Sequence, residues 1–193
     1  MFKVTNSVIF CIGFNKTGTV SLHEAFVQCG LRSFHDKRWI EMVNSGKLPN
    51  YDVFSDGDVS QLDLNNLKRM SNNCKFILNT RSLKNWLVSR CKHAFVGYCM
   101  GRRSMYQLSD IVYSIHLRKN WHKKALSLSP LVFDIEDKED HKKLSQFLNL
   151  NMNIPHLNRR ENLDKETLSL IERDVEEALQ IANIPQSSWL DVI

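Results

Sequence analysis

The chain has 193 residues, 42% hydrophobic and 24% charged, which bounds it to one globular domain of ordinary size with a real core. A formal net charge of +5 favours an anionic ligand, but Lys and Arg are scattered. No basic run, RNA-binding aromatic signature or helix-turn-helix pattern stands out, so nucleic acid is not an expected partner.

Short apolar runs alternate with helical segments. The run 8–12 precedes a helix over Val20–Cys29, in which Leu22, Ala25, Phe26 and Cys29 share one face and Gly30 offers a C-terminal cap. A strand over Leu31–His35, a helix over Lys37–Asn44 and a second extended run over Tyr51–Ser55 follow. After a helix near Gln61–Met70 comes the compact apolar strand Lys75–Thr80, then Ser82 as the N-cap of a helix through His93. Gly97–Ser109 shows no clear period and reads as a loop or lid, and a long helix then runs to about Leu128. Leu131–Ile135 is the next strand. The last helix, Lys165–Ala182, spaces Leu168, Ile171, Val175 and Leu179 on one face. This alternation predicts an α/β fold, a central parallel sheet covered by helices on both faces, with ligands at the carboxyl ends of the strands. No repeat or linker divides the chain, so residues 1–193 are expected to form a single domain.

No apolar stretch approaches the length of a bilayer span, and the N-terminus lacks an apolar segment followed by a small-residue cleavage site. The expectation is a soluble, cytoplasmic protein with no transmembrane segment. Cys11, Cys29, Cys74, Cys91 and Cys99 form no C-x-x-C pair and leave an odd one over, which argues against a disulfide framework. Cys91, His93 and Cys99 match no common zinc spacing, and no metal site is expected.

The first stretch that carries chemistry is "GFNKTGTVSLHEAF", Gly13 to Phe26. Gly13-x4-Gly18 has the spacing of a phosphate-binding loop, but Thr19-Val20-Ser21 stands where a nucleoside triphosphatase has Lys-Ser or Lys-Thr. The lysine sits instead at Lys16, inside the turn, where its ammonium and the backbone N–H groups of Thr17 to Ser21 can meet one phosphate. No hydroxyl directly follows a Gly-Lys pair to ligate Mg²⁺, which points to a nucleotide bound without the usual metal. The second stretch is "FILNTRSLKNWLVSR", Phe76 to Arg90. Arg81 stands where the strand exits and Ser89 about two helical turns later, a guanidinium fork plus a hydroxyl suited to a monophosphate. Two anion sites in one chain suit a nucleotide phosphorylated at two positions.

The pair "FNKTGTVS" and "FILNTRSLKNWLVS" resembles the two signature segments of sulfotransferases that use 3′-phosphoadenosine 5′-phosphosulfate. The Lys-[Ser/Thr]-Gly-Thr core and the Arg-x7-Ser spacing both match. "LVFDIED" followed by "NIPHLNRRE" is similar to the closing strand and tail of small single-domain members. The resemblance implies a P-loop α/β sulfotransferase fold, with Lys16, Thr17, Gly18 and Thr19 at the 5′-phosphosulfate and Arg81 and Ser89 at the 3′-phosphate. The candidate cofactor set is Asn15, Lys16, Thr17, Gly18, Thr19, Val20, Ser21, Arg81 and Ser89. Arg159 completes that set; with Arg160 it can close over the cofactor from the C-terminal side, or both can simply face water. Val20 replaces a hydroxyl residue and Ser21 an aromatic ring common in the cytosolic branch.

The implied reaction moves a sulfuryl group to an acceptor hydroxyl or amine on a glycan, lipid, small metabolite or peptide tyrosine and releases adenosine 3′,5′-bisphosphate. Lys16 is expected to stabilise the leaving oxygen without a metal. The acceptor needs a base at the carboxyl edge of the sheet; Asp56 leads, His35 follows, and Asp36 and Asp58 are nearby. Asp56-Gly57 also reads as a common turn, and His23, His93 and His116 fall on predicted helices as structural residues. The rival readings are a small-molecule P-loop kinase using ATP and Mg²⁺ and a nucleotide-binding protein without catalysis. Oligomeric state is not legible.

Overall fold

The computed structural model describes residues 7–70, 73–155, 163–189 and 191. The fold is α/β, with five strands, all parallel, and seven α-helices among the described residues. In chain order they are β1 Val8–Cys11, α1 Thr19–Gln28, β2 Ser33–His35, α2 Arg38–Asn44, β3 Val53–Ser55 and α3 Leu64–Met70. Then come β4 Cys74–Thr80, α4 Leu83–Cys99, α5 Leu108–Ala125, β5 Leu131–Asp134, α6 Lys138–Leu148 and α7 Lys165–Ile181.

All five strands lie where the apolar runs put them. The helices differ in three places. A 3-10 turn over Val59–Gln61 takes the start of the helix expected from Gln61, and α3 begins only at Leu64. The helix expected to stop at His93 continues to Cys99, so the loop read over 97–109 shrinks to residues 100–107. Gly97 is buried in that last turn, and the Arg103 side chain lies where a β-carbon would stand, 2.6 Å from Nε. α6 was not anticipated, because its apolar residues Leu144, Phe147 and Leu148 crowd into its second half behind a charged first turn. Asp137 caps it by accepting from the Glu139 N–H.

By its contacts the chain divides into two compact units, residues 7–80 with 121–155, and residues 81–120 with 163–191. The first holds the sheet, in the order β2-β3-β1-β4-β5. β1 is central, pairing Ile9 with Val53 of β3 and with Lys75 of β4. Because successive side chains of a strand point to opposite faces, β1 splits its residues between two cores. Ile9 and Cys11 join Val53, Ile77 and Phe133 against Leu22, Ala25 and Phe26 of α1 and Leu144 and Leu148 of α6. Phe10 faces the other way, its ring 5.4 Å from Phe54, 6.0 Å from Phe76 and 5.9 Å from Trp39 of α2. Helices therefore cover both faces, which makes three layers. Full burial of one such aromatic contributes about 1.5–3 kcal/mol.

α1 ends as the sequence foretold. Gly30, at φ 78°, donates its N–H to the Val27 carbonyl, and Leu31 donates to Phe26, the paired bonds of a Schellman cap. The Arg32 guanidinium grips Asp52 through Nε and Nη2 at 3.0 and 2.8 Å, joining the chain before β2 to the chain before β3. Those bonds hold the Asp52 carboxyl below the usual carboxylate range. Cys11 and Cys91 are buried hydrophobes whose thiols burial pushes up to about 12.

In the second unit α4 packs on α7. Ile171, Val175, Ala178 and Leu179 line the buried face of α7, and Lys84 pairs with Glu176 at 2.5 Å. Among the described residues no helix is long and apolar enough to cross a membrane.

The exit of β1 is the tightest point of the sheet. A β-carbon on Gly13 would stand 1.8 Å from the Asn79 carbonyl oxygen. Gly13→Ala is therefore expected to lower the unfolding free energy by about 1–3 kcal/mol or more, the cost of overpacking. Urea denaturation measures it, and an unchanged midpoint would refute the close approach.

Candidate functional site

In an open parallel sheet, ligands bind where neighbouring strands send their connections in opposite directions. Here β1 leads toward β2 and β3 on one side, while β4 leads toward β5 on the other, so the switch point lies between β1 and β4. The loop 12–18 leaves β1 at that point.

Its shape is set by a small polar network. The Asn79 carboxamide, on the buried end of β4, accepts from the Gly13 N–H at 2.9 Å and donates to the Thr17 hydroxyl at 2.6 Å. Thr17 in turn donates to the Phe14 carbonyl, so its side chain is committed inside the loop. Trp121 fastens the strand exit by donating from Nε1 to the Ile12 carbonyl at 2.8 Å. Lys16 stands in the left-handed region at φ 66°, a strained choice for a residue with a β-carbon. Gly18, at φ 81°, is the N-cap of α1, and its missing side chain makes room for Ile135, whose Cγ1 lies 2.4 Å from where a β-carbon would be. Among the described residues no side chain caps α1. The N–H groups of Thr19, Val20 and Ser21 precede the first intrahelical bond, Leu22 N–H to Gly18 carbonyl at 3.0 Å, and so form the positive end of the helix. Asn15, Lys16 and Val20 are half-buried; Thr19 and Ser21 are buried.

Two candidate proton acceptors gather beside this helix end. β3 pairs directly with β1, and Asp56, the residue after β3, reaches α1. One carboxylate oxygen accepts from the Thr19 hydroxyl at 3.2 Å, and its backbone carbonyl accepts from Trp39 Nε1 at 2.7 Å. Asp56 also has a positive φ, 81°, followed by Gly57 at 98°. The Asp-Gly turn and the placement at the helix end are thus the same feature. His35, at the end of β2, has Nδ1 3.0 Å from the Ser55 hydroxyl. Its ring stacks on His23 with centroids 5.1 Å apart, and His23 Nδ1 lies 2.9 Å from the Ser33 hydroxyl. Burial holds the His35 imidazole below the usual histidine range; the Asp56 carboxylate opposes that shift and His23 reinforces it. Asp36 turns to Arg38 instead, through a 3.0 Å ion pair, and Asp58 caps the 3-10 turn at Ser60. His23, read as a structural histidine, belongs to this cluster.

In the second unit Arg81 directly precedes Ser82, the N-cap of α4. Ser82 holds the predicted position without forming a side-chain cap, and its hydroxyl, buried, has no hydrogen-bond partner among the described residues. The first two free amides of α4 are occupied, Leu83 by the Asp191 carbonyl at 3.0 Å and Lys84 by the Trp189 carbonyl at 2.9 Å. An anion at this end would therefore be held by side chains. Arg118, almost fully buried, donates to the Arg81 carbonyl at 2.6 Å and lies 5.1 Å from the Trp86 ring centroid, with Arg90 at 5.0 Å. Ser89 is half-buried, seven residues after Ser82 and so on nearly the same helix face. His93 lies beside Arg103, and His116 is exposed. Arg159 and Arg160 fall outside the described residues.

Asn79, Ile135 and Trp121 are the functional supports that the sequence reading passed over. Asn79 had one legible signal, a carboxamide inside an apolar strand, which must find buried partners. No protein-family model matches the chain, and no curated protein matches it.

The His35 shift has a definite sign. An unfolded histidine titrates near ~6.5, and the folded group lower, so acid protonates the unfolded state first. Its contribution is fully present above about pH 6.5 and is lost as pH falls from there toward the folded value. Urea unfolding between about pH 7.5 and 5 should show a steeper loss of stability for the wild type than for His35→Gln. Equal slopes would contradict the assignment.

Proposed function

We propose that the chain is a sulfotransferase that uses 3′-phosphoadenosine 5′-phosphosulfate and modifies an acceptor hydroxyl or amine. The observation that carries this reading is Lys16, held at positive φ within the loop and ahead of Gly18, directly before the uncapped end of α1. That placement suits an anion met by one ammonium and several amides, and the cradle depends on two glycines whose β-carbons would collide with Asn79 and Ile135.

The residues that would hold the 5′-phosphosulfate are Asn15 to Ser21, chiefly through Lys16 and the amides of Thr19 to Ser21. Arg81 and Ser89 are assigned to the 3′-phosphate on the resemblance of their segment. When bound, the cofactor supplies the sulfuryl group, whose bond to the bridging oxygen breaks, leaving the electron pair on that oxygen, as the acceptor bonds to sulfur. Lys16 opposes the negative charge that builds there, a preorganised donor that needs no metal. Asp56 takes the acceptor proton, with the Thr19 hydroxyl orienting its carboxylate; His35, kept neutral by burial, is the other group able to do so. The acceptor carries its hydroxyl or amine on a glycan, lipid, small metabolite or peptide tyrosine, and the proposed compartment is cytoplasmic.

Lys16→Ala should lower turnover with labelled cofactor by roughly two or more orders of magnitude, the loss expected for a charged transition-state donor. Asp56→Asn should do the same to within roughly two to four orders of magnitude while cofactor affinity survives. Full turnover in Asp56→Asn and its loss in His35→Ala would move the base to His35.

Calorimetry with chelator present tests the cofactor itself. Adenosine 3′,5′-bisphosphate should bind without Mg²⁺. Arg81→Ala with Ser89→Ala should weaken it while barely changing affinity for adenosine 5′-phosphosulfate, which lacks the 3′ group. Strict dependence on Mg²⁺, or equal losses for both ligands, would refute the reading.

A further inference from the structure

Residues 64–109 hold nine Lys and Arg and no Asp or Glu, a stretch bounded by Asp63 and Asp110. The rest of the chain has 17 basic and 21 acidic residues, so the entire positive excess lies in this segment. The bias shows as missing acid, since the basic residues are spaced apart. Within the second unit the segment comprises α4, the connection 100–107 and the first residues of α5.

The same region exposes apolar surface. Tyr98 is 51% exposed, Met100 57%, Met105 37% and, in the second turn of α5, Tyr113 65%. Of the nine large hydrophobic side chains most exposed among the described residues, these four fall within 16 positions. Single exposed hydrophobics are ordinary; a concentration within and beside a segment that carries basic residues and no acidic ones marks an interaction surface, although Glu176 pairs with Lys84 and Asp174 accepts from Tyr106 at its inner side.

Two backbone hydrogen bonds define the turn that presents them. α4 closes with Gly101 at φ 66°, donating to the Tyr98 carbonyl, and Arg102 donating to the Gly97 carbonyl, both at 2.8 Å. This is a second Schellman cap, but its sixth-position residue is an arginine where an apolar side chain commonly packs back on the helix. Arg103 folds over Gly97 instead, with Nη2 3.5 Å from His93 Nε2. Met100 and Arg102 are left on the outside of a tight turn.

We propose that this turn docks on an anionic phospholipid bilayer, with Arg102 and Arg103 at the lipid phosphates and Tyr98, Met100 and Met105 in the interfacial layer. Charge complementarity brings the segment to the surface, and burial of tyrosine and methionine side chains holds it there. An acidic polymer would engage the arginines but leave both methionines in water, which is why the bilayer is the better fit. The inference goes beyond the nucleotide reading and does not depend on it.

Sedimentation of the full chain with phosphatidylcholine vesicles, with and without about one-third phosphatidylserine, is the test. At about 0.15 M salt the protein should pellet only with the anionic vesicles. Arg102→Glu should weaken that binding about tenfold, and so should Met100→Asp with Met105→Asp, both with unchanged thermal unfolding. Met100→Ser gives a smaller loss in the same direction. Three results would overturn the proposal: no preference for anionic vesicles, wild-type binding by the methionine variants, or a sulfated polysaccharide or oligonucleotide that binds equally well whichever residue stands at positions 100 and 105.

Discussion

The Asn79 carboxamide is the constraint on which the loop of the first unit depends. It faces two demands at once, a donor from Gly13 and an acceptor at Thr17, and it meets both from a buried position on β4. A buried amide left without partners costs about 1–3 kcal/mol, so the network sets the spacing between the exit of β1 and the loop above it. Once Gly13 lies against Asn79, no side chain fits there. Next to the pinned Thr17, Lys16 stands in a left-handed conformation, and Gly18, also at positive φ, is the N-cap of α1.

Two of the five described non-glycine residues at positive φ meet at the same place. Lys16 and Asp56 are both non-glycine residues at positive φ, one on each of two adjacent strand exits, and both lie next to the first turn of α1. A conformation of that kind costs of order 1–3 kcal/mol and persists only where the surroundings impose it. The core behind supplies the imposition. Ile9, Cys11, Val53 and Ile77 lock β1, β3 and β4 in register against α1, while Phe10, Phe54, Phe76 and Trp39 do so on the opposite face. Lys16, half-buried, thus directly precedes a helix end, and the Asp56 carboxylate is fastened to the first residue of that helix.

The imidazole pair is the other polar feature of this edge. Ser55 and Ser33 each hold one ring through Nδ1, and the stack keeps the rings parallel to within 25°. Two imidazolium ions at that separation would repel, so charging one opposes charging the other. Burial disfavours the His35 cation further. Asp56 supplies the opposing negative charge. Each serine hydroxyl can donate or accept, so these contacts fix where the ring nitrogens point rather than which of them carries the proton.

The alternation of short apolar runs and helical segments was enough to determine the α/β class, the five strands, the αL cap at Gly30 and the Gly13–Gly18 loop before α1. Those features are local: each follows from periodicity, from a glycine at a left-handed turn or from apolar run length. The sequence also placed Asp56 and His35 at strand ends, because polarity changes abruptly there. It did not reveal α6, whose apolar residues occupy only half its length, nor the continuation of α4 to Cys99, where Arg103 packs over Gly97. Only the tertiary structure decided that Asn79 braces the loop, that His23 stacks on His35 and that backbone carbonyls of Trp189 and Asp191 occupy the first amides of α4. Each of those contacts joins residues between 12 and more than 100 positions apart. A periodic pattern constrains which face a residue takes, but the partner it meets there is set by strand order and helix packing, which no local stretch of sequence encodes.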